Sequence, residues 1–369
     1  LYTLVKDRLE GGDGREILWD DEITAKLADF QKVAVKQSVQ KIRDMTGCFV
    51  ADVVGLGKSY IGAAIIKHFE RIEGTRALII CPKTLEDMWI GYNETYQLNA
   101  QVLSMGMLLD EPGKGVDLLE DVRYKDRDFV LIDESHNFRH NTNQRYNVLQ
   151  SYLSTGRKVC LLTATPRNSS IWDIYNQIKL FHPEDITYLP IDPPNLKEYF
   201  KLVDSKKRIL KDILSHVLIR RTRKHILQWY GYAGDTNLPL RELSEIKRQQ
   251  YLSGRRRAYV IVGTKHQYFP LRKLKTLRYS IEASYHGLYE QLRAYLGRPQ
   301  VKRYRPKLGQ ELTYARYGLW NFVVKSKKNK APYNELKRAG INLRGLMRTM
   351  VFKRFESSVH AFRVTIKRM

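Results

Sequence analysis

Four short, unbroken apolar runs within the first 165 positions constrain this chain more than any other feature. They are Gly47-Cys48-Phe49-Val50-Ala51, Ala77-Leu78-Ile79-Ile80-Cys81, Phe129-Val130-Leu131-Ile132 and Val159-Cys160-Leu161-Leu162. A strand with one wet face alternates polar and apolar residues, so continuous apolarity asks for cover on both faces, as in a parallel sheet. Helical patterns separate the runs. One places Ile61, Ile65, Phe69 and Ile72 on a single face and closes at Gly74. This alternation predicts a doubly wound α/β domain with helices on both faces and ligands at the carboxyl ends of the strands.

Every strand end carries reactive groups. The first runs into Asp52-Val53-Val54-Gly55-Leu56-Gly57-Lys58-Ser59 and then a helix. Gly55, Leu56 and Gly57 would offer backbone N–H groups to phosphates, Lys58 would neutralise charge, and Ser59 could ligate Mg²⁺. The strict phosphate-loop pattern wants glycine at position 52, where this chain has Asp. The third run ends in Asp133-Glu134-Ser135-His136. Asp133 is placed to hold Mg²⁺ through water, and Glu134 to orient and deprotonate an attacking water. The fourth ends in Thr163-Ala164-Thr165-Pro166. Thr163 and Thr165, with His136, are candidates for coupling a nucleotide site to a moving neighbour. Lys58, Asp133 and Glu134 form the expected catalytic set, with a nucleotide's phosphates and Mg²⁺ as ligands.

Charge divides the chain. Residues 201–369 hold 40 Lys and Arg against 10 Asp and Glu, whereas residues 1–200 hold 24 against 29. Such a basic half calls for a polyanion, and basic residues interleaved with Tyr and Phe suit a nucleic-acid backbone groove. The candidate DNA contacts are Arg255, Arg256, Arg257, Arg272, Lys273, Arg303 and Arg305. A membrane partner is disfavoured, because no apolar run approaches the roughly 18 residues a span requires and no amphipathic anchor is seen. Cys48, Cys81 and Cys160 lie singly in apolar runs, which argues against a disulfide framework or zinc ribbon. A reducing, cytoplasmic compartment is the expected setting.

The ordered series Ala-Asp-Val-Val-Gly-Leu-Gly-Lys-Ser, Asp-Glu-Ser-His and Leu-Thr-Ala-Thr-Pro resembles helicase superfamily two, and within it the Swi/Snf-like ATPases. Further pieces sit in matching order over about residues 28–225. Phe30-Gln31 resembles the motif whose glutamine reads adenine, which makes Gln31 a nucleotide ligand. Cys81-Pro82-Lys83 through Trp89 resembles a segment that touches a nucleic-acid strand, which adds Lys83 to the DNA contacts. Residues 168–181 match a helix following the third motif. Val217 to Lys224 resemble a paired-arginine signature that relatives use for structure and for coupling lobes. The chain departs from the family at Val53, where many relatives carry an acid, and at Ser59, where Thr is commoner.

The resemblance implies a RecA-like phosphate-loop NTPase lobe over 28–225, after a lead-in at 1–27. A mainly helical, basic protrusion is expected over 226–344 and a bridge over 345–369. A second RecA-like lobe, in the same polypeptide or another chain, would supply arginine fingers. No later strand series or Gln-x-x-Gly-Arg-x-x-Arg segment is present before Met369. The implied function is an ATP-dependent motor moving on or remodelling DNA, duplex favoured. The alternative is a DNA-binding scaffold whose nucleotide site is a switch or idle. An RNA-directed enzyme is disfavoured, since Asp-Glu-Ser-His differs from the acid-Ala-Asp form usual in RNA helicases. The Val-Val-Gly-Leu-Gly-Lys variant resembles prokaryotic relatives and points to a defence or repair system, with a nuclease or defence-system subunit as partner.

Overall fold

The computed structural model describes residues 22–368 apart from 54, 109–114, 169, 270–273, 277, 279, 281–283, 285, 297–318, 329 and 332. The chain divides into two compact units, residues 1–271 and 272–369.

The first unit is built on six parallel strands: β1 (Gly47–Val50), β2 (Ala77–Cys81), β3 (Gln101–Ser104), β4 (Phe129–Ile132), β5 (Lys158–Leu162) and β6 (Leu218–Ile219). Their order is β3-β2-β4-β5-β1-β6. The register explains why the four expected strands read as continuous apolar runs. Phe49, Leu78, Ile80, Val130, Ile132, Val159 and Leu161 enter one buried cluster, with side chains of the Gln144–Leu153, Trp172–Ile178 and Leu210–Val217 helices. Cys48, Val50, Ile79, Cys81, Leu131, Cys160 and Leu162 enter the opposite cluster, beneath the Asp29–Met45, Lys58–Glu73 and Glu86–Tyr96 helices. Each large apolar side chain buried this way contributes about 1.5–3 kcal/mol, so the sheet centre is the strongest part of the lobe. All three cysteines are buried free thiols in that interior, and burial pushes the Cys81 thiol up to about 12.

Several expectations need correcting. Ile72 is 41% exposed, while Ile61, Ile65 and Phe69 are buried. The Lys58–Glu73 helix buries Ala63, Ala64 and Ile66 as well, because it is wedged between sheet and flanking helices. The helix expected over 168–181 is shorter, Trp172–Ile178, and Asp173 Oδ2 accepts from the Asn168 and Ser170 N–H groups before it. Two parallel strands were not anticipated. β3 carries polar Gln101 at the sheet edge, and β6 is only two residues long.

A mainly helical region was expected after residue 226, and it also holds a three-stranded antiparallel sheet: β7 (Tyr232–Ala233), β8 (Ala258–Val262) and β9 (Lys265–Tyr268), in the order β7-β8-β9. Val262 pairs with Lys265 across Gly263-Thr264, so a two-residue glycine turn between β-branched and aromatic residues makes the hairpin. The Tyr259 ring stacks on His266, with centroids 4.0 Å apart. Val260 packs with Leu56, Phe30, Ala28 and Ile226, so this small sheet rests against the loop after β1.

The α-helices among the described residues of the second unit are Leu288–Tyr295, Tyr333–Ser357 and Val359–Arg368, with short 3-10 turns at Leu319–Phe322 and Lys325–Lys327. The position 344/345 expected to separate protrusion from bridge falls inside one continuous 25-residue helix. Among the described residues, no helix is long and apolar enough to cross a membrane.

Candidate functional site

The site lies where β1, β4 and β5 end. Val50 runs into Ala51 and the buried Asp52, and the chain then turns through Gly55 (φ 86°) and Gly57 (φ 72°) into the Lys58–Glu73 helix. Both glycines adopt the left-handed backbone that side chains disfavour. A β-carbon on Gly57 would also fall 2.4 Å from Gln31 Nε2. No side chain caps this sixteen-residue helix, so its first N–H groups and its dipole are left to an anion. Lys58 Nζ donates to the Asp52 carbonyl at 3.0 Å, folded back over the loop.

Asp52, the departure from the phosphate-loop pattern, has its own task. Its carboxylate accepts from the Arg221 backbone N–H at 2.8 Å and from Arg221 Nε at 3.1 Å, and it also pairs with Arg221 Nη2. Arg221 Nη1 donates to the Phe30 carbonyl. One buried guanidinium thus joins the phosphate loop, the strand beside it and the start of the Asp29–Met45 helix. Gln31 ties the same corner. Its Oε1 accepts from the Ala28 N–H at 2.9 Å, and its Nε2 donates to the Leu56 carbonyl at 3.0 Å.

Across the cleft, Asp133 is 4% exposed at the tip of β4. Trp89 Nε1 donates to its Oδ2 at 3.0 Å, and the Glu134 N–H donates to its Oδ1 at 2.8 Å. Burial pushes the Asp133 carboxyl above the ordinary range, opposed by those two bonds and by Lys58, while the Glu134 charge adds to the rise. Glu134 is left-handed (φ 50°), a conformation costing a non-glycine residue roughly 1–2 kcal/mol. Asn137 holds it there, its Nδ2 donating to the Glu134 carbonyl at 2.8 Å. Glu134 Oε2 lies 3.1 Å from His136 Nδ1, which is 3.3 Å from Thr163 Oγ1. The Thr165 N–H donates to that same hydroxyl at 3.2 Å. A polar chain therefore runs from Glu134 to the loop after β5. Ser135 bonds Gln177 at 3.0 Å, and Gln177 Nε2 bonds the Pro166 carbonyl at 2.8 Å, closing the loop from behind.

The structure thus brings Gln31, Gly55, Leu56, Gly57, Lys58 and Ser59 into one corner, and Asp133, Glu134, His136, Thr163 and Thr165 into a connected network. The candidate DNA residues do not converge on this corner. Lys83 is exposed and paired with Glu86 at 2.7 Å. Arg255, Arg256 and Arg257 are exposed in the turn before β8, with Arg256 held 3.0 Å from Asp235. Arg272, Lys273, Arg303 and Arg305 lie outside the described residues. Trp89 closes the segment expected to touch nucleic acid, yet it is fully buried and orients Asp133 instead. The sequence held one signal for that role: a lone Trp at helical spacing behind an apolar strand.

Among the described residues, no three His, Cys, Asp or Glu side chains cluster as a metal cage. The donors present, Ser59 and Asp133, suit a cation that brings its own waters and phosphates, which is how Mg²⁺ is usually held.

No family model matches the chain. It is similar to the "DNA annealing helicase and endonuclease ZRANB3" of Mus musculus, 25% identical over 240 residues, which cover 56% of this chain and 22% of the relative. It is also similar to the "Uncharacterized ATP-dependent helicase YqhH" of Bacillus subtilis (strain 168), 25% identical over 213 residues, covering 52% of this chain and 35% of the relative. The chain thus spans roughly a fifth to a third of the length of these curated relatives. Among solved structures, the "Sulfolobus solfataricus SWI2/SNF2 ATPase core in complex with dsDNA" aligns at 18% identity with a TM-score of 0.44, covering 56% of this chain and 47% of that one.

Proposed function

We propose that this chain is a Swi/Snf-like ATPase of helicase superfamily two, that it binds Mg-ATP, and that it belongs to a motor that moves on or remodels duplex DNA; its likeness to proteins named as helicases supports the reading. The observation that carries the proposal is the uncapped, lysine-bearing helix start facing an acid pair whose second member is held in a costly backbone conformation. Gln31 reads the adenine edge with the amide proton and lone pair left over from its two bonds. The first-turn N–H groups and Lys58 hold the phosphates, and Lys58 exchanges the Asp52 carbonyl for phosphate oxygens. Ser59, and Asp133 through water, would hold Mg²⁺, which supplies positive charge on the phosphate oxygens when bound. Trp89 keeps Asp133 aimed. Glu134 orients and deprotonates the attacking water. His136, Thr163 and Thr165 report the state of Glu134 to the loop after β5.

The basic residues grip the DNA backbone, Arg255 and Arg257 more directly than Arg256, whose partner is Asp235. The transition-state arginine comes from a second lobe, because Arg221 is committed to Asp52 and Arg220 is exposed. Residues 1–369 alone then bind Mg-ATP and DNA but turn over slowly. A defence or repair setting with a nuclease partner belongs to the same proposal; the mouse relative's name pairs a helicase with an endonuclease, and the three buried thiols fit a reducing compartment.

The test is steady-state ATP hydrolysis by the complete protein with and without duplex DNA. DNA should stimulate turnover. Glu134→Gln should lower it by roughly 10²-fold or more while ATP still binds and persists. Turnover unaffected by DNA in a protein that still binds it would favour a scaffold with an idle nucleotide site. Wild-type turnover by Glu134→Gln would remove that carboxylate from its role.

A further inference from the structure

The paired-arginine segment does more than end the lobe. β6 runs parallel to β1, with Leu218 beside Phe49 and Ile219 beside Val50. The ladder then continues past both strands. The Ala51 N–H donates to the Ile219 carbonyl at 2.7 Å, and the Val53 N–H to the Arg221 carbonyl at 3.3 Å. Along the extended part Ile219 and Arg221 are buried while Arg220 and Thr222 are exposed, and the half-buried Arg223 then opens the Arg223–Tyr230 helix. That helix start follows two residues after the bond joining Val53 to Arg221, which brings it beside the first glycine of the phosphate loop.

That is where Arg223 lies. Its Nη2 is 3.4 Å from the place a β-carbon on Gly55 would occupy, and its guanidinium sits 5.8 Å from the centre of the Phe269 ring. Phe269 packs in the cluster of Leu56, Phe30 and Ala28, on the flank of the loop that Gln31 ties down. Gly55 is set by its left-handed turn, and the guanidinium lies at contact distance beside it. Asp52, the acid buried in this corner, is committed to Arg221. The two arginines divide the work: one shapes the loop and the other flanks it.

Resting on the ATP-binding reading above, we propose that Arg223 is a nucleotide-binding residue, supplied from within this lobe, that contacts the anionic phosphate chain in the ground state. The face of Phe269 limits its swing, so the guanidinium is pre-positioned, and a planar fork suits phosphate oxygens better than a lysine would. This contact is distinct from a transition-state finger. It acts on affinity rather than on the chemical step.

The experiment titrates the full chain with a fluorescent ATP analogue plus Mg²⁺ and records the melting temperature of each variant. Arg223→Ala should weaken binding roughly tenfold or more, with Arg223→Lys recovering part and the melting temperature held near that of the parent. Competition by unlabelled ADP should weaken in parallel, whereas competition by adenosine should not change. Affinity within about twofold of the parent in Arg223→Ala, while Lys58→Ala binds poorly, would overturn the inference and leave the ATP reading standing. So would a loss matched by a fall in melting temperature as large as that of Arg221→Ala, or an equal loss for adenosine. A parent chain that binds no nucleotide would overturn both.

Discussion

The sheet lobe and the unit formed by residues 272–369 spend their residues in opposite ways. In the lobe's six-stranded sheet, nearly every strand position is buried on one face or the other, and the polar residues at its strand ends are stitched into networks around the site. In the second unit, Ala294, Leu296, Gly340, Val351 and Phe355 are the buried positions among the described residues. Its longest helix leaves Ile341, Leu343, Leu346 and Met350 exposed. That unit also carries 24 Lys and Arg against 5 Asp and Glu. The lesson concerns what each region needs. The lobe holds itself together by burial, whereas a sparse core beneath dense like charge is stabilised when anions neutralise it.

The largest test of that contrast is to add the proposed second lobe. The isolated chain should bind Mg-ATP and DNA yet hydrolyse ATP near background, and a second lobe, fused or in trans, should raise DNA-stimulated turnover by roughly 10³-fold or more. Brisk hydrolysis by the 369 residues alone would mean that an arginine within them acts in the transition state.

Next in size is the buried pair inside the lobe. Arg221→Ala leaves Asp52 charged and unpaired in the interior, which costs about 3–5 kcal/mol. Removing both partners, as Asp52→Asn with Arg221→Met, should cost less than the single change. Chemical denaturation should show the loss in the lobe. If the single variant keeps full stability, the pair contributes nothing to the corner.

Acid should also act on the lobe. Burial pushes His68 and His182 down to about 4 from the ordinary 6.5, and the Arg43 and Lys179 charges add to the fall. Arg43 donates to His68 Nε2 at 3.2 Å, which requires a neutral ring. The unfolded chain binds protons at these histidines first as pH falls. Their stabilisation is therefore complete above about 6.5 and lost progressively down to about 4, together on the order of a few kcal/mol. Melting temperature across that window should drop in the parent and drop less in a His68→Gln, His182→Gln variant.

The smallest effect belongs to the exposed arginines. Changing Arg255, Arg256 and Arg257 to Ser should reduce the salt slope of DNA binding by roughly 2, less than three full phosphate contacts would, because Arg256 already has Asp235. Nucleotide affinity should not move. An unchanged slope would place the DNA surface elsewhere, with the basic residues of the second unit as the next candidates.

The apolar runs, the glycine-lysine-serine turn and the acid pair were legible in sequence because each depends on local pattern: burial on two faces, left-handed turns, charge at a strand tip. β3 and β6 were not, since an edge strand carrying Gln101 and a two-residue strand leave too little periodicity to read. The hairpin of β8 and β9 was hidden by the arginines before it, although Gly263-Thr264 between β-branched and aromatic residues was its signal. Ile72 fits its helical face by spacing, but the helix has left the sheet by that turn.

What the sequence determined by itself was the class of fold and the placing of Lys58, Ser59, Asp133 and Glu134 at the ends of its strands. Only the tertiary structure decided what their neighbours do. Asp52 and Arg221 are 169 positions apart, yet they share one buried bond, and Trp89 holds an acid 44 positions away. Sequence patterns report which residue types recur at which spacing. They cannot report which distant partner satisfies a buried charge, because that depends on where the chain returns after the sheet has closed.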